Sequence, residues 1–168
     1  MENRQRKYLI STERLLFCAD KAVSALGCRH ERIGIIFVNN RVIRSINREY
    51  RGKNSATDVL SFRYDSPPSP DIPFPDGEIL ISVERAECQA REQGISLESE
   101  LLNLLIHGIC HLQGYDHEIG EEEAEKMRLA ERKVARKLKK ALLDHPLLQT
   151  DKDTITEILG KIPEPEEK

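Results

Sequence analysis

Three of the chain's five histidines fall in one short segment, His107-Gly108-Ile109-Cys110-His111-Leu112-Gln113-Gly114-Tyr115-Asp116-His117. On a helix, His107 and His111 lie four residues apart, so both imidazoles leave one face one turn apart and can meet a single metal ion. Gly114 can take the left-handed conformation that ends a helix, which lets the chain fold back and brings His117 in from the side. Three histidines without a fourth protein ligand suit a catalytic zinc site, whose open position accepts water, better than a closed structural one. Zinc lowers the pKa of such a water to ~7 and so supplies a nucleophile at neutral pH.

The spacing also matches the metzincin peptidase pattern H-E-x-x-H-x-x-G-x-x-H except at one position. Gly108 stands where those peptidases carry their general-base glutamate, so their mechanism does not carry over intact. Phosphoryl transfer can rely on positioning and electrostatics where peptide hydrolysis usually wants a strong base, and the missing glutamate therefore favours a phosphodiester substrate. Asp116 can cap the turn, orient a ligand or act as a base. Cys110 points away from the histidine face by helical phase and reads as core, while His30 and His145, taken singly, read as ordinary histidines.

These side chains need a rigid frame, and the apolar pattern supplies its elements. Leu101, Leu102, Leu104, Leu105, Ile106, Ile109 and Leu112 cover much of the circumference of the segment bearing the first two histidines. The pattern predicts a helix starting at Ser96 and buried in the middle of the domain, with Glu98 and Glu100 at its positive end. Other helices are predicted from Ser11 to Leu26, from Asn40 to Tyr50 with Asn39 or Asn40 as cap, from Val83 to Gln93, and from Glu121 to Leu143. Strands are expected at Ile33 to Val38, Val59 to Phe62 and Glu78 to Ser82. Between the last two, the five prolines of Ser66 to Pro75 exclude regular structure. Residues 1–143 read as one domain, and 144–168 as a mobile C-terminal extension with one weak helical patch at Ile155 to Leu159.

At 168 residues the chain has room for one domain with a proper core. Tryptophan is absent and aromatics are 5%, which argues against an aromatic stacking platform for single strands; any RNA contact would lean on charge and shape. The net charge of −3 does not itself announce a nucleic-acid binder. Cys18, Cys28, Cys88 and Cys110 form no CxxC pair, Met1 to Leu9 lacks the apolar stretch of a signal peptide, and no segment approaches the ~20 apolar residues of a membrane span. A cytoplasmic protein with reduced thiols and no membrane partner is expected.

The histidine segment resembles the H-G-x-x-H-L-x-G-Y-D-H signature of the YbeY family. Arg51-Gly52-Lys53 followed by Thr57-Asp58-Val59-Leu60-Ser61-Phe62 resembles a second block of that family, and Glu78-Ile79-Leu80-Ile81-Ser82 a third. The similarity covers about residues 8 to 140. Cys110 replaces the family's usual aliphatic residue, and the tail after Asp144 extends beyond its pattern. The resemblance implies an α+β fold, a small mixed sheet of about four strands flanked by helices, with a central buried helix carrying two of the metal-ligand histidines. It implies one zinc ion on His107, His111 and His117. It further implies single-strand-specific endoribonuclease activity in maturation of the 3′ end of the small-subunit ribosomal RNA and in ribosome quality control, with the small ribosomal subunit and a ribosomal protein as partners. Arg51 matches the family's functionally important arginine, completing a catalytic set of Arg51, His107, His111 and His117; its guanidinium can clamp a phosphate and stabilise developing charge. Without that match a lone arginine would read as a surface ion-pair partner.

Other readings stay open on the sequence. The basic run Lys126, Arg128, Arg132, Lys133, Arg136, Lys137, Lys139 and Lys140, with Glu131 the only acid among them, can track an RNA backbone or form a solvated helix end. A metallopeptidase-like hydrolase would need a carboxylate such as Glu78 as base. A ribosome assembly factor would use the zinc mainly to stabilise its fold.

Overall fold

The computed structural model describes residues 1–4, 10, 12–27, 32–66, 74–117 and 119–144. Four strands, β1 (Glu2–Asn3), β2 (Ile33–Val38), β3 (Val59–Arg63) and β4 (Gly77–Ser82), form one sheet in the order β1-β2-β4-β3. β2 runs parallel to β1 and β4, and β3 pairs antiparallel with β4, so the sheet is mixed. Five helices accompany it among the described residues: α1 (Thr12–Leu26), α2 (Asn40–Arg51), α3 (Val83–Gln93), α4 (Leu97–Leu112) and α5 (Glu121–Asp144). The expected α+β architecture is present. No helix among the described residues is long and apolar enough to cross a membrane.

Side chains alternate across a strand, and the alternation builds two cores. Ile35, Phe37, Ile79 and Ile81 point to one face, where they meet Leu15 and Ala22 of α1, Leu101, Leu105 and Ile109 of α4, and Met127 and Val134 of α5. Ile36, Val38, Leu60 and Leu80 point to the other face and are sealed by Ile43 and Ile46 of α2. The apolar circumference of α4 thus has its physical reason, since the helix lies between the sheet and its neighbouring helices.

Local signals set the element ends. Asn39 Oδ1 accepts from the Val42 amide at 2.9 Å and starts α2; Ser96 Oγ accepts from the Ser99 amide at 3.2 Å and starts α4. β1 was not foreseen: it is two exposed residues at the sheet edge, too short for any periodicity to register. The tail from 145 onward, its helical patch, His30, His145 and most of the proline-rich segment lie outside the described residues.

One contact fixes how α4 sits on the sheet. A Cβ built on Gly108 would lie 2.7 Å from Ile79 Cγ2 and 3.1 Å from Ser61 Oγ, so only glycine allows this approach of helix to strand. Ser61 Oγ also donates to the Gly108 carbonyl at 3.2 Å, tying β3 to the same turn. Overpacking of this kind costs about 1–3 kcal/mol. Gly108→Ala is therefore expected to lower the unfolding free energy of the metal-free protein by that amount, read as a lower urea midpoint at unchanged m-value, and an unchanged midpoint would show that the contact does not hold the helix in place.

Candidate metal centre

Because Gly108 turns toward the sheet, the neighbouring His107 and, one turn on, His111 emerge from α4 beside the β3 edge. Their Nε2 atoms lie 3.1 Å apart. Two ligands of a tetrahedral site with bonds of ~2.0–2.1 Å would sit ~3.3 Å apart, so the pair already has the spacing of two corners. The chain then leaves the helix through Gly114, whose φ is 86°, and the Gly114 amide donates to the His111 carbonyl at 3.0 Å. Arg63 of β3 donates to the Leu112 carbonyl and caps the same helix end. The reversal brings the His117 ring centroid to 5.1 Å from that of His107 and 5.2 Å from that of His111. One ligand atom from each of the three histidines lies within 4.8 Å of the others, an arrangement that can hold a metal ion.

The electrostatics suit that use. Burial, then the neighbouring His107 and His117, and also Arg51, hold the His111 imidazole below its ordinary pKa, against an opposing pull from Asp116. A neutral imidazole is the form that ligates. His107 Nδ1 lies 2.9 Å from Glu131 Oε1 on α5, both side chains being half-buried. Such a carboxylate selects the tautomer with hydrogen on Nδ1 and leaves the Nε2 lone pair facing His111.

The histidines open onto a cavity of about 350 Å³ lined also by Arg51, Thr57, Asp58, Val59, Ser61 and Asp116. Arg51 ends α2, on the opposite face of the sheet, and reaches the cavity past β3, which is an edge strand. The loop between them is held by Asn47, buried on α2, whose Nδ2 donates to the Ser55 carbonyl at 2.8 Å. Burial alone would raise the Asp58 carboxyl, but hydrogen bonds from Gln89, Thr57 and the Val59 amide outweigh it and keep the group below the usual carboxylate range. Asp58 is thereby a fixed anionic wall that joins β3 to α3.

Two residues with a part in this site had no assigned role on the sequence, Glu131 and Asp58. Glu131 reads as one acid in a basic run, and its partner is 24 positions away on another helix. Asp58 stands inside a recognisable block, which was its only signal. Glu78 is not at the cavity. Alternation sends it to the face opposite Ile79 and α4, where it accepts from Tyr64 Oη at 2.8 Å. Cys110 is fully buried in the core, as its helical phase implies.

The basic run of α5 is largely neutralised at its start. Lys126 pairs with Glu122 at 3.0 Å and Glu123 at 2.7 Å, and Arg128 with Glu121 at 2.6 Å and Glu125 at 2.7 Å. Arg136 and Lys137 are exposed, and the side chains of Lys139 and Lys140 lie outside those described.

Comparison with known proteins gives a consistent picture. Residues 1–139 match the family model described as endoribonuclease YbeY. An Aquifex aeolicus protein named endoribonuclease YbeY is 41% identical over 139 residues, which is 82% of this chain and 90% of that one. A Thermodesulfovibrio yellowstonii protein of the same name is 37% identical over 152 residues, covering 82% of this chain and 94% of its own. A Thermotoga maritima protein solved in solution superposes with a TM-score of 0.56 at 27% identity, over 90% of this chain and 96% of that one.

The Glu131 contact yields a test of the geometry. Removing a carboxylate that orients a ligating histidine typically weakens metal binding 10–100-fold. Glu131→Gln is expected to lose about that much zinc affinity in a competitive chelator titration while retaining its far-ultraviolet circular dichroism; an unchanged affinity would make the contact merely structural.

Proposed function

Because this chain belongs to the YbeY family of endoribonucleases, we propose that it is a zinc-dependent, single-strand-specific endoribonuclease acting in ribosomal RNA maturation and ribosome quality control. The observation that supports this reading best is the meeting of three imidazoles and the Arg51 guanidinium at one polar cavity. His107, His111 and His117 would hold the ion. When bound, zinc supplies Lewis acidity that makes water or a ribose 2′-hydroxyl a better nucleophile at neutral pH.

The chain's own groups do the rest. Arg51 binds the scissile phosphate, in bidentate fashion, and neutralises charge that grows on its oxygens during displacement. Glu131 keeps His107 in one tautomer. Thr57 and Ser61 offer hydroxyls on the cavity wall, and Asp116 lies beside the histidines, where it can orient a ligand or take a proton. The site needs RNA that can enter a cleft at a sheet edge, which an unpaired strand does more readily than a duplex. A cytoplasmic location, contact with the small ribosomal subunit and contact with a ribosomal protein follow from the same reading.

The peptidase alternative loses support from the packing of α4. The position of its general base is occupied by Gly108, closed off by Ile79 and Ser61, and Glu78 faces the other side of the sheet. A mainly structural zinc makes a different prediction for His117, which is exposed on the turn after α4. His117→Ala should keep the fold and lose cleavage if the metal is catalytic, whereas joint loss of metal and fold would favour the assembly-factor reading.

The direct test is cleavage of single-stranded RNA by purified protein, with metal content measured in parallel. His111→Ala is expected to lose zinc and fall to background. Arg51→Ala should keep zinc and lose about 10²–10³ in kcat, the usual effect of removing one donor to a developing oxyanion. Equal cleavage by all three proteins would identify a contaminant, and no cleavage by zinc-loaded wild type would contradict the proposal.

A further inference from the structure

We propose that the arginines of α2 form the track along which single-stranded RNA runs into the metal cavity, an inference that rests on the endoribonuclease reading and adds the substrate-binding surface to it. Arg41, Arg44, Arg48 and Arg51 are all exposed on this helix. At about 100° per residue their positions fall within an arc of about 80°, centred about 100° round the helix from the buried Ile43 and Asn47, so the stripe flanks the buried face. They extend over about 15 Å of helix axis, enough for about three or four phosphates of one strand. The last of them, Arg51, lines the metal cavity, so stripe and site are continuous.

Ion pairing within the fold does not use the stripe. Among the described residues none of the four arginines is ion-paired, and Glu49, the only acid on α2, lies off the stripe. Arg44 Nε donates to Asn54 Oδ1 at 3.0 Å, a neutral partner that orients the side chain without cancelling its charge. Like charges three and four residues apart destabilise a helix, and Arg41 in the first turn opposes the helix dipole. The dipole therefore accounts for Arg48 and Arg51 in the last turn, but not for Arg41 and Arg44. α5 shows the contrast, with Lys126 and Arg128 each saturated by two glutamates of their own helix.

The shape fits a polyanion. Arg41, Arg44, Ser45, Arg48 and Asn54 line an open depression of about 330 Å³ on the outer face of α2. Planar guanidinium groups bind phosphate oxygens in forked fashion, and hydroxyl and amide groups between them add neutral donors. Continuity with the cavity that receives the scissile phosphate selects RNA over an acidic protein as the occupant.

Fluorescence anisotropy of a labelled single-stranded RNA at several salt concentrations tests this, using zinc-loaded protein under conditions where the RNA is verified intact. Each phosphate contact contributes about 0.7 to the slope of log K against log salt for single strands. The triple variant Arg41→Gln, Arg44→Gln, Arg48→Gln should lower that slope by about 2 and raise KM for a long strand far more than it changes kcat. The triple Arg→Lys variant should retain the slope, and Arg136→Gln with Lys137→Gln on α5 should leave it unchanged. An undiminished slope in the glutamine variant, or loss of slope in the α5 variant, would overturn the proposal, the first outcome leaving the stripe to an acidic protein surface. The two readings separate cleanly: cleavage with an undiminished slope sinks the track alone, and stripe-dependent binding without cleavage sinks the nuclease alone.

Discussion

The contact between Gly108 and Ile79 is the constraint on which the rest of the molecule depends. It brings α4 against β4 closer than any side chain would permit, and the Ser61 hydroxyl holds β3 to the same helical turn. With the helix fixed in depth and rotation, His107 must emerge beside the β3 edge, and His111 one turn later. The same edge is where Arg51 arrives from the other face of the sheet. A cleft made by two layers meeting at an edge strand thus collects groups separated by some sixty positions in the chain, without a flexible loop to place any histidine of α4.

Charge is distributed to suit this frame. Glu131 lies behind His107, hydrogen bonds hold the Asp58 carboxyl below the usual carboxylate range against its burial, and burial, then His107 and His117, hold the His111 imidazole below its ordinary pKa. Asp58, Asp116 and Glu131 thus place carboxylates around the three histidines and Arg51 brings a cation to the same cavity, while Arg41, Arg44 and Arg48 stand outside on α2. On the proposed track, such a distribution would draw a polyanion along α2 toward the candidate metal site even though the net charge of the chain is −3.

Much of this was readable in the sequence because the signals are local. The spacing of His107 and His111, the glycine after them and the apolar circumference of the helix depend only on residues a few positions apart. Asn39 and Ser96 likewise declare their helix starts. What escaped is non-local or too short. Glu131 needs the packing of α5 on α4 before it becomes a partner of His107, β1 is two residues long, and Gly108 has its steric reason only once Ile79 is known to lie beneath it. The α2 arginines could have been counted, but the sheet-facing side of that helix decides whether they form a stripe. The α5 run misleads for the opposite reason, since it is the glutamates one and two turns away that neutralise its first cations.

The central claim is that the α4 histidines offer their Nε2 atoms to one ion while Glu131 occupies the other nitrogen of His107. Nitrogen-15 NMR of the histidine side chains during zinc titration tests it most directly. One equivalent of zinc should shift the Nε2 signals of His107 and His111 together, with the proton on His107 Nδ1 retained. Coordination through His107 Nδ1, or saturation without any shift at His111, would contradict the account.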